Sequence, residues 1–253
     1  MISERRLAAD FQGFWSEHLP LLTPSFVRLF NEAYSEKLTD KNGIIIDPIP
    51  IGPDIEHHDL VAELAFHLAR ISHEESKDII SITTDQTLRE SVLNATLKLV
   101  EEYEGSRPVK EIVLNDAEWN EAMRLASNYR GFLSLPKHEG NIEFSPKISG
   151  AGFLGLCNAD LSIGQTLYEI KTVNRNIAGK DIRQLILYLA LQASTGDRKW
   201  INAGLFNPRR AIYYHFSVDH LMYRTSGGRS ATEVFQDVVD FLSMRDFEMD
   251  TAF

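Results

Sequence analysis

Cysteine occurs once in 253 residues, at Cys157. That excludes an intrachain disulfide framework and any zinc site built on several thiolates. Long apolar runs are also missing. The longest, Leu185 to Leu191, falls far short of the roughly 20 residues that a membrane helix needs. Met1–Arg6 has no apolar core of the secretory type, so a soluble, cytoplasmic protein without a membrane partner is expected. There is no internal repeat, no low-complexity stretch and no G-x-x-x-x-G-K-[ST] phosphate loop. Ala178-Gly-Lys-Asp181 and Ser226-Gly-Gly-Arg229 both fail that pattern, which leaves no basis for an intrinsic ATPase. What is present is ordinary for a globular chain. Hydrophobic residues make up 43% and charged residues 25%, which rules out collagen-like, disordered and coiled-coil classes. The length suits one large domain, or a catalytic domain with an extension.

The net charge of −10 is unevenly spread. Residues 1–136 carry a net −10, residues 137–230 a net +5, and residues 231–253 a net −5. A basic centre between acidic flanks is the asymmetry that local recognition of phosphate requires. The acidic N-terminal part is then a candidate surface for a protein partner.

Hydrophobic periodicity gives helices at Leu7–Trp15, Pro24–Leu38, Glu56–Ile71, Asp85–Tyr103 (capped by Thr84 or Asp85) and Asp116–Gly131. Three closely spaced prolines between Ile44 and Pro53 impose an extended connection. After about Leu135 the pattern changes. Ile142–Ser145, Gly152–Ile163, Thr166–Val173, Trp200–Phe206 and Ala211–Val218 read as strands, with a hairpin turn at Gly164-Gln165. An almost wholly apolar helix spans Ile177–Ala193, and an amphipathic one Ala231–Met244. The expectation is an α/β layer with a mixed sheet flanked by helices over residues 111–253, preceded by a mainly helical extension over residues 1–110.

Chemistry concentrates in Thr166-Leu-Tyr-Glu-Ile-Lys-Thr172. Alternation along a strand sets Glu169 and Lys171 on one face, roughly 6–7 Å apart. If the chain turns back at Gly164, Asp160 falls beside them. Two carboxylates next to a lysine make a hard-cation site suited to Mg²⁺, or Mn²⁺ in its place. In the following helix Gln184 and Tyr188 are four residues apart, one turn above the other, on an otherwise apolar surface. Buried polar groups need partners, and a cavity over the sheet would supply them.

The sequence D-x8-E-x-K followed by Q-x3-Y resembles the PD-(D/E)XK nuclease superfamily, and most of all its RecB-like branch. Asn158-Ala-Asp160, Leu167-Tyr-Glu-Ile-Lys-Thr172 and Arg183-Gln-Leu-Ile-Leu-Tyr188 carry the resemblance, which covers about residues 116–218. It implies a restriction-endonuclease-like fold and a metal-dependent nuclease acting on DNA ahead of RNA, in a setting such as DNA repair or defence against phage. It further implies that Asp160, Glu169 and the Ile170 carbonyl hold the metal. Lys171 would position or activate water, and Gln184 and Tyr188 would orient the lysine region or hold the nucleic-acid backbone. An acid on the leading helix often adds a ligand in this family, and Glu118 and Glu121 are both candidates. The proline of the family name is absent before Asp160, where Asn158-Ala159 stands.

Other features carry blander readings. Arg175 and Lys180 flank the apolar helix and are expected to contact phosphate. Arg209 and Arg210, in a turn, either touch phosphate or solvate the turn. Glu56-His-His-Asp59 with Glu63 and His67 opens an amphipathic helix whose first turn favours acids, so a transition-metal site there is the minor reading. Cys157 reads as a small buried strand residue. The rivals to a nuclease are an inactive nuclease-fold module that binds nucleic acid or a protein, and an unrelated small-molecule α/β protein.

Overall fold

The computed structural model describes residues 3–104, 112–196 and 198–244. Helices α1 (Glu4–Asp10), α2 (Gln12–His18) and α3 (Pro24–Tyr34) open the chain and lead into a short strand, β1 (Ser35–Lys37). Four helices follow: α4 (His58–Glu74), α5 (Ile79–Thr84), α6 (Gln86–Glu104) and α7 (Asp116–Leu133). Then come strands β2 (Ile142–Phe144), β3 (Lys147–Ile148), β4 (Cys157–Asn158), β5 (Leu161–Ile163) and β6 (Thr166–Ile170). Helix α8 (Gly179–Ala193) connects β6 to β7 (Asn202–Asn207). Strand β8 (Ile212–Ser217), α9 (Val218–Thr225) and α10 (Ala231–Ser243) complete the described chain. No helix among the described residues is long and apolar enough to cross a membrane.

Six strands form a mixed sheet in the order β1-β8-β7-β6-β5-β2, and β3 with β4 make a separate small ladder. Among the described strands only β6 and β7 pair in parallel; the α8 crossover supplies the long connection that parallel neighbours require. Side chains leave a strand on alternate faces, so each face seeds its own core. Leu167, Ala203 and Leu205 pack with α8, α10 and Leu7 of α1 on one face. Tyr168, Phe206 and Leu161 pack with α4 and α7 on the other.

Local chemistry accounts for most helix starts. Thr23 accepts a hydrogen bond from the Phe26 amide ahead of Pro24. Asp85, rather than Thr84, caps α6 through the amides of Thr87 and Leu88 (3.0 and 3.1 Å). Asn115 and Glu118 form a reciprocal capping box on α7, satisfying two amide donors that lack partners within the helix.

The structure departs from the expected elements in several places. The first periodic segment breaks at Phe11 into α1 and α2. The helix begun at Pro24 stops at Tyr34, and Ser35–Lys37 become an edge strand on β8. The unbroken strand expected over Gly152–Ile163 is interrupted, because Gly152 takes a φ of 56° and Phe153 donates to the Leu242 carbonyl. Helices α5 and α9 lie where no element was expected. Residues 1–110, read as an extension, give the sheet an edge strand and place side chains in both cores.

Gly204 fixes the middle of the sheet. It sits in register between Tyr168 of β6 and His215 of β8. A Cβ there would overlap the Tyr168 ring and the Tyr214 carbonyl. Its absence lets the Tyr168 hydroxyl bridge His138 Nε2 and His215 Nδ1, at 3.0 Å each. Gly204→Ala is expected to cost about 2–3 kcal/mol through overpacking, read as a lower urea midpoint with an unchanged m-value.

Candidate active site

The turn at Gly164-Gln165 forms as expected, with Gly164 at φ 53°. A side chain at Gly164 would strike the Glu139 carbonyl, so glycine meets two demands there. Two turn residues fix the register: Ile163 pairs with Thr166 and Leu161 with Tyr168. The ladder ends at that pair, and the same register continued by one residue brings Asp160 toward Glu169, on the face of Leu167. Asp160 lies where the ladder with β2 gives way to the β3–β4 ladder. There Ser145 adopts φ 51° and donates its amide to the Asp160 carbonyl (2.9 Å).

The carboxylate of Asp160 accepts from the Ile170 amide (2.6 Å), and the two acids lie within electrostatic reach of each other. Glu169 is 1% exposed. Its Oε1 accepts from Lys171 Nζ (2.5 Å), while its buried Oε2 has no donor. Burial first, and then the charge of Asp160, pushes the Glu169 carboxyl up to about 8. Asp160 is raised by burial as well. Lys171 behaves oppositely. Burial works against its charge, but Glu169 and Asp160 outweigh that and hold the ammonium protonated more firmly than usual.

From Lys171 a chain of hydrogen bonds runs along α8. Nζ donates to Gln184 Oε1 (2.9 Å), Gln184 Nε2 donates to the Tyr188 hydroxyl (3.0 Å), and that hydroxyl donates to Glu4 of α1 (3.5 Å). The polar pair on the apolar helix is thus satisfied by the lysine on one side and by α1 on the other.

The remaining candidates divide. Arg175 makes a two-point contact with the buried Asp181 (2.6 and 3.0 Å) and a bond to the Asn176 carbonyl, which braces the start of α8. Lys180 is exposed on the first turn of that helix. Neither leading-helix acid stands at the site. Glu118 accepts from the amides of Glu56, His57 and Asn115. Burial would raise its pKa, yet these donors leave it lowered. Glu121 forms a buried ion pair with Arg209 at 2.6 Å, which also removes Arg209 from any solvent-facing role. The Cys157 thiol is buried and pushed up to about 12, mainly by burial, leaving it un-ionised and unreactive.

Two residues that sequence reasoning did not assign to the site lie within its electrostatic reach. Glu63 of α4 is raised by burial and by the charge of Asp160. Arg5 of α1 feels Asp160, Glu169, Tyr188 and Glu63. Glu63 was visible only as part of an acidic and histidine-rich helix start. Nothing in the sequence marked Arg5.

Among the described residues no group of three or more His, Cys, Asp or Glu side chains is gathered closely enough to hold a metal. Two facing carboxyls, with one buried oxygen lacking a donor, are nevertheless a fitting donor set for Mg²⁺. That ion is usually held by one or two carboxylates, with water and substrate phosphate completing the shell. The chain matches no protein-family model and no curated protein.

Proposed function

We propose that this protein is a metal-dependent nuclease of the PD-(D/E)XK type, with a restriction-endonuclease-like arrangement of β2, β5, β6, α8 and β7, hydrolysing phosphodiester bonds of DNA. The observation that supports the reading is the end of the β5–β6 hairpin, where the Asp160 carboxylate is bonded to the Ile170 amide, Lys171 is bonded to Glu169, and Glu169 Oε2 is buried without a donor. Isolated acids and lysines are common on strands. A buried pair of acids at the end of a ladder, bonded directly to a single ammonium, is costly for stability and is the kind of cluster found at functional sites.

Asp160 and Glu169, with the Ile170 carbonyl, would hold Mg²⁺ or Mn²⁺. When bound, such an ion lowers the pKa of water and stabilises charge on the phosphate oxygens. Lys171 keeps its proton beside two acids, so it acts as a fixed positive charge rather than as a base. It orients water by donating a hydrogen bond and offsets charge that develops on the phosphate. Gln184 holds the ammonium in place through its carbonyl oxygen, and Tyr188 fixes the amide orientation of Gln184.

Incubation of the protein with linear DNA, circular DNA and RNA in Mg²⁺ or Mn²⁺ tests the reading. Degradation should occur, disappear in EDTA, and fall by roughly 10²–10³-fold in Lys171→Met. Binding without cutting would favour an inactive nucleic-acid-binding module. Neither binding nor cutting would favour an unrelated α/β protein.

A further inference from the structure

Helix α1 is short, but it is firmly seated. Leu7 is buried in the core beneath α8. The Trp15 indole donates to the Leu7 carbonyl (2.9 Å), and Arg183 of α8 donates to Gln12 just beyond the helix (3.1 Å). This seating carries residues 4 and 5 to the acid cluster. Glu4 meets the Tyr188 hydroxyl. The guanidinium of Arg5 interacts with Asp160, Glu169, Tyr188 and Glu63.

Arg5 differs from the other cation of the site in one respect. Lys171 is bonded directly to Glu169 and Gln184. Arg5 makes no ion pair with any of the three acids, and its side chain stays exposed. Its planar set of five donors is therefore not taken up by any of these acids, and it sits one residue from Glu4, which meets the Tyr188 hydroxyl at 3.5 Å. A guanidinium of this kind matches two oxygens of one phosphate group. Charge balance points the same way. A divalent ion between Asp160 and Glu169 would neutralise them, leaving Arg5 to face the phosphate that the ion attracts.

We infer that Arg5 is a substrate-binding residue that grips a phosphate group of the nucleic-acid strand from α1, beside the Tyr188–Gln184–Lys171 chain that leads to Glu169. The inference rests on the nuclease reading and deepens it, by making the first turn of the chain part of the substrate site. A purely electrostatic counter-ion is the competing role. In that case Arg5 stands where a metal ion would otherwise lower the repulsion, and its removal would help metal binding without affecting the strand.

The test compares wild type with Arg5→Met, Arg5→Lys and Arg6→Met. Arg6 lies on the same helix but pairs with Asp10 at 3.3 Å, so its replacement controls for general loss of positive charge. Three quantities are measured on each folded variant: steady-state cleavage in Mg²⁺, anisotropy of a fluorescent DNA oligonucleotide in Ca²⁺ over a salt series, and Mn²⁺ affinity by calorimetry. Arg5→Met should weaken DNA binding by about 10–100-fold, reduce the salt slope by about one, and raise KM more than it lowers kcat. Mn²⁺ affinity should be equal or tighter, Arg5→Lys intermediate, and Arg6→Met close to wild type. An unchanged salt slope and KM in Arg5→Met overturns the inference, as does tighter Mn²⁺ binding accompanied by unaltered DNA affinity. Wild-type protein that neither cuts nor binds any nucleic acid overturns the nuclease reading, and this inference with it. Wild-type protein that binds without cutting leaves the anisotropy comparison to decide Arg5 alone.

Discussion

Asp160→Asn is expected to abolish cleavage while leaving the metal-free protein as stable as wild type or more so. The loss should reach 10³-fold or more, about 4 kcal/mol of transition-state stabilisation, because on the proposed reading the substitution replaces a charged metal-binding oxygen near Glu169 with a neutral amide. Stability should move the other way, since the same change removes a like charge from a buried pair. The pH dependence carries the sign. The Glu169 carboxyl is raised by burial and by Asp160 to about 8, above its ordinary 4.5. A raised acid contributes stability that is complete below the ordinary value and is lost as pH climbs toward about 8. In EDTA, wild type should therefore lose stability between pH 5 and pH 8.5, and Asp160→Asn should lose less over that interval. Urea unfolding at several pH values measures both. A steeper decline in the variant, or a drop in stability typical of a core mutation, would show that Asp160 is a structural residue. Metal should reverse the wild-type trend, because ligand binding requires both acids to be deprotonated.

Glu121→Ala should produce the largest loss of stability and have no direct catalytic effect. The Glu121–Arg209 pair is buried between α7 and the β7–β8 turn, with Arg209 2% exposed. Besides Glu121, Arg209 has a long contact to the Ile49 carbonyl at 3.4 Å, and its Nε already lacks a partner. Removing the carboxylate strands a charge in the core, at a cost of about 3–5 kcal/mol. The double replacement Glu121→Met with Arg209→Met should recover most of that loss, because it removes both charges and keeps the volume. Cleavage per folded molecule should match wild type in each case. A Glu121→Ala protein that unfolds like wild type but no longer responds to Mg²⁺ would restore this residue as a ligand.

These two acids illustrate where sequence reasoning reaches its limit. Asp160 was legible because its relation to Glu169 is local. A two-residue turn and the two-residue strand period fix which side chains oppose each other, whatever the rest of the chain does. Gln184 and Tyr188 were legible for a similar reason, the helical repeat placing both on one face of a buried helix. Glu121 was not, because an acid in a helix looks the same whether it faces a metal or a buried arginine 88 residues away. Glu118 carried a usable signal, since Asn115-x-x-Glu118 is a capping pattern and the structure uses it as one. The paired state of Arg175 also depends on a neighbour, Asp181, whose burial appears only once α8 is docked.

The identities of most helices, the mixed sheet and the D-x8-E-x-K face were set by periodicity and turn chemistry, which act within a few residues. Tertiary packing alone decided that Ser35–Lys37 would extend the sheet, that α1 would dock its first turn against Tyr188, and that Glu63 rather than Glu118 or Glu121 would come within electrostatic reach of Asp160. Each of those outcomes joins segments tens to more than a hundred residues apart. Burial of shared apolar surface selects such neighbours, and that force is not directional enough to be read from any one segment.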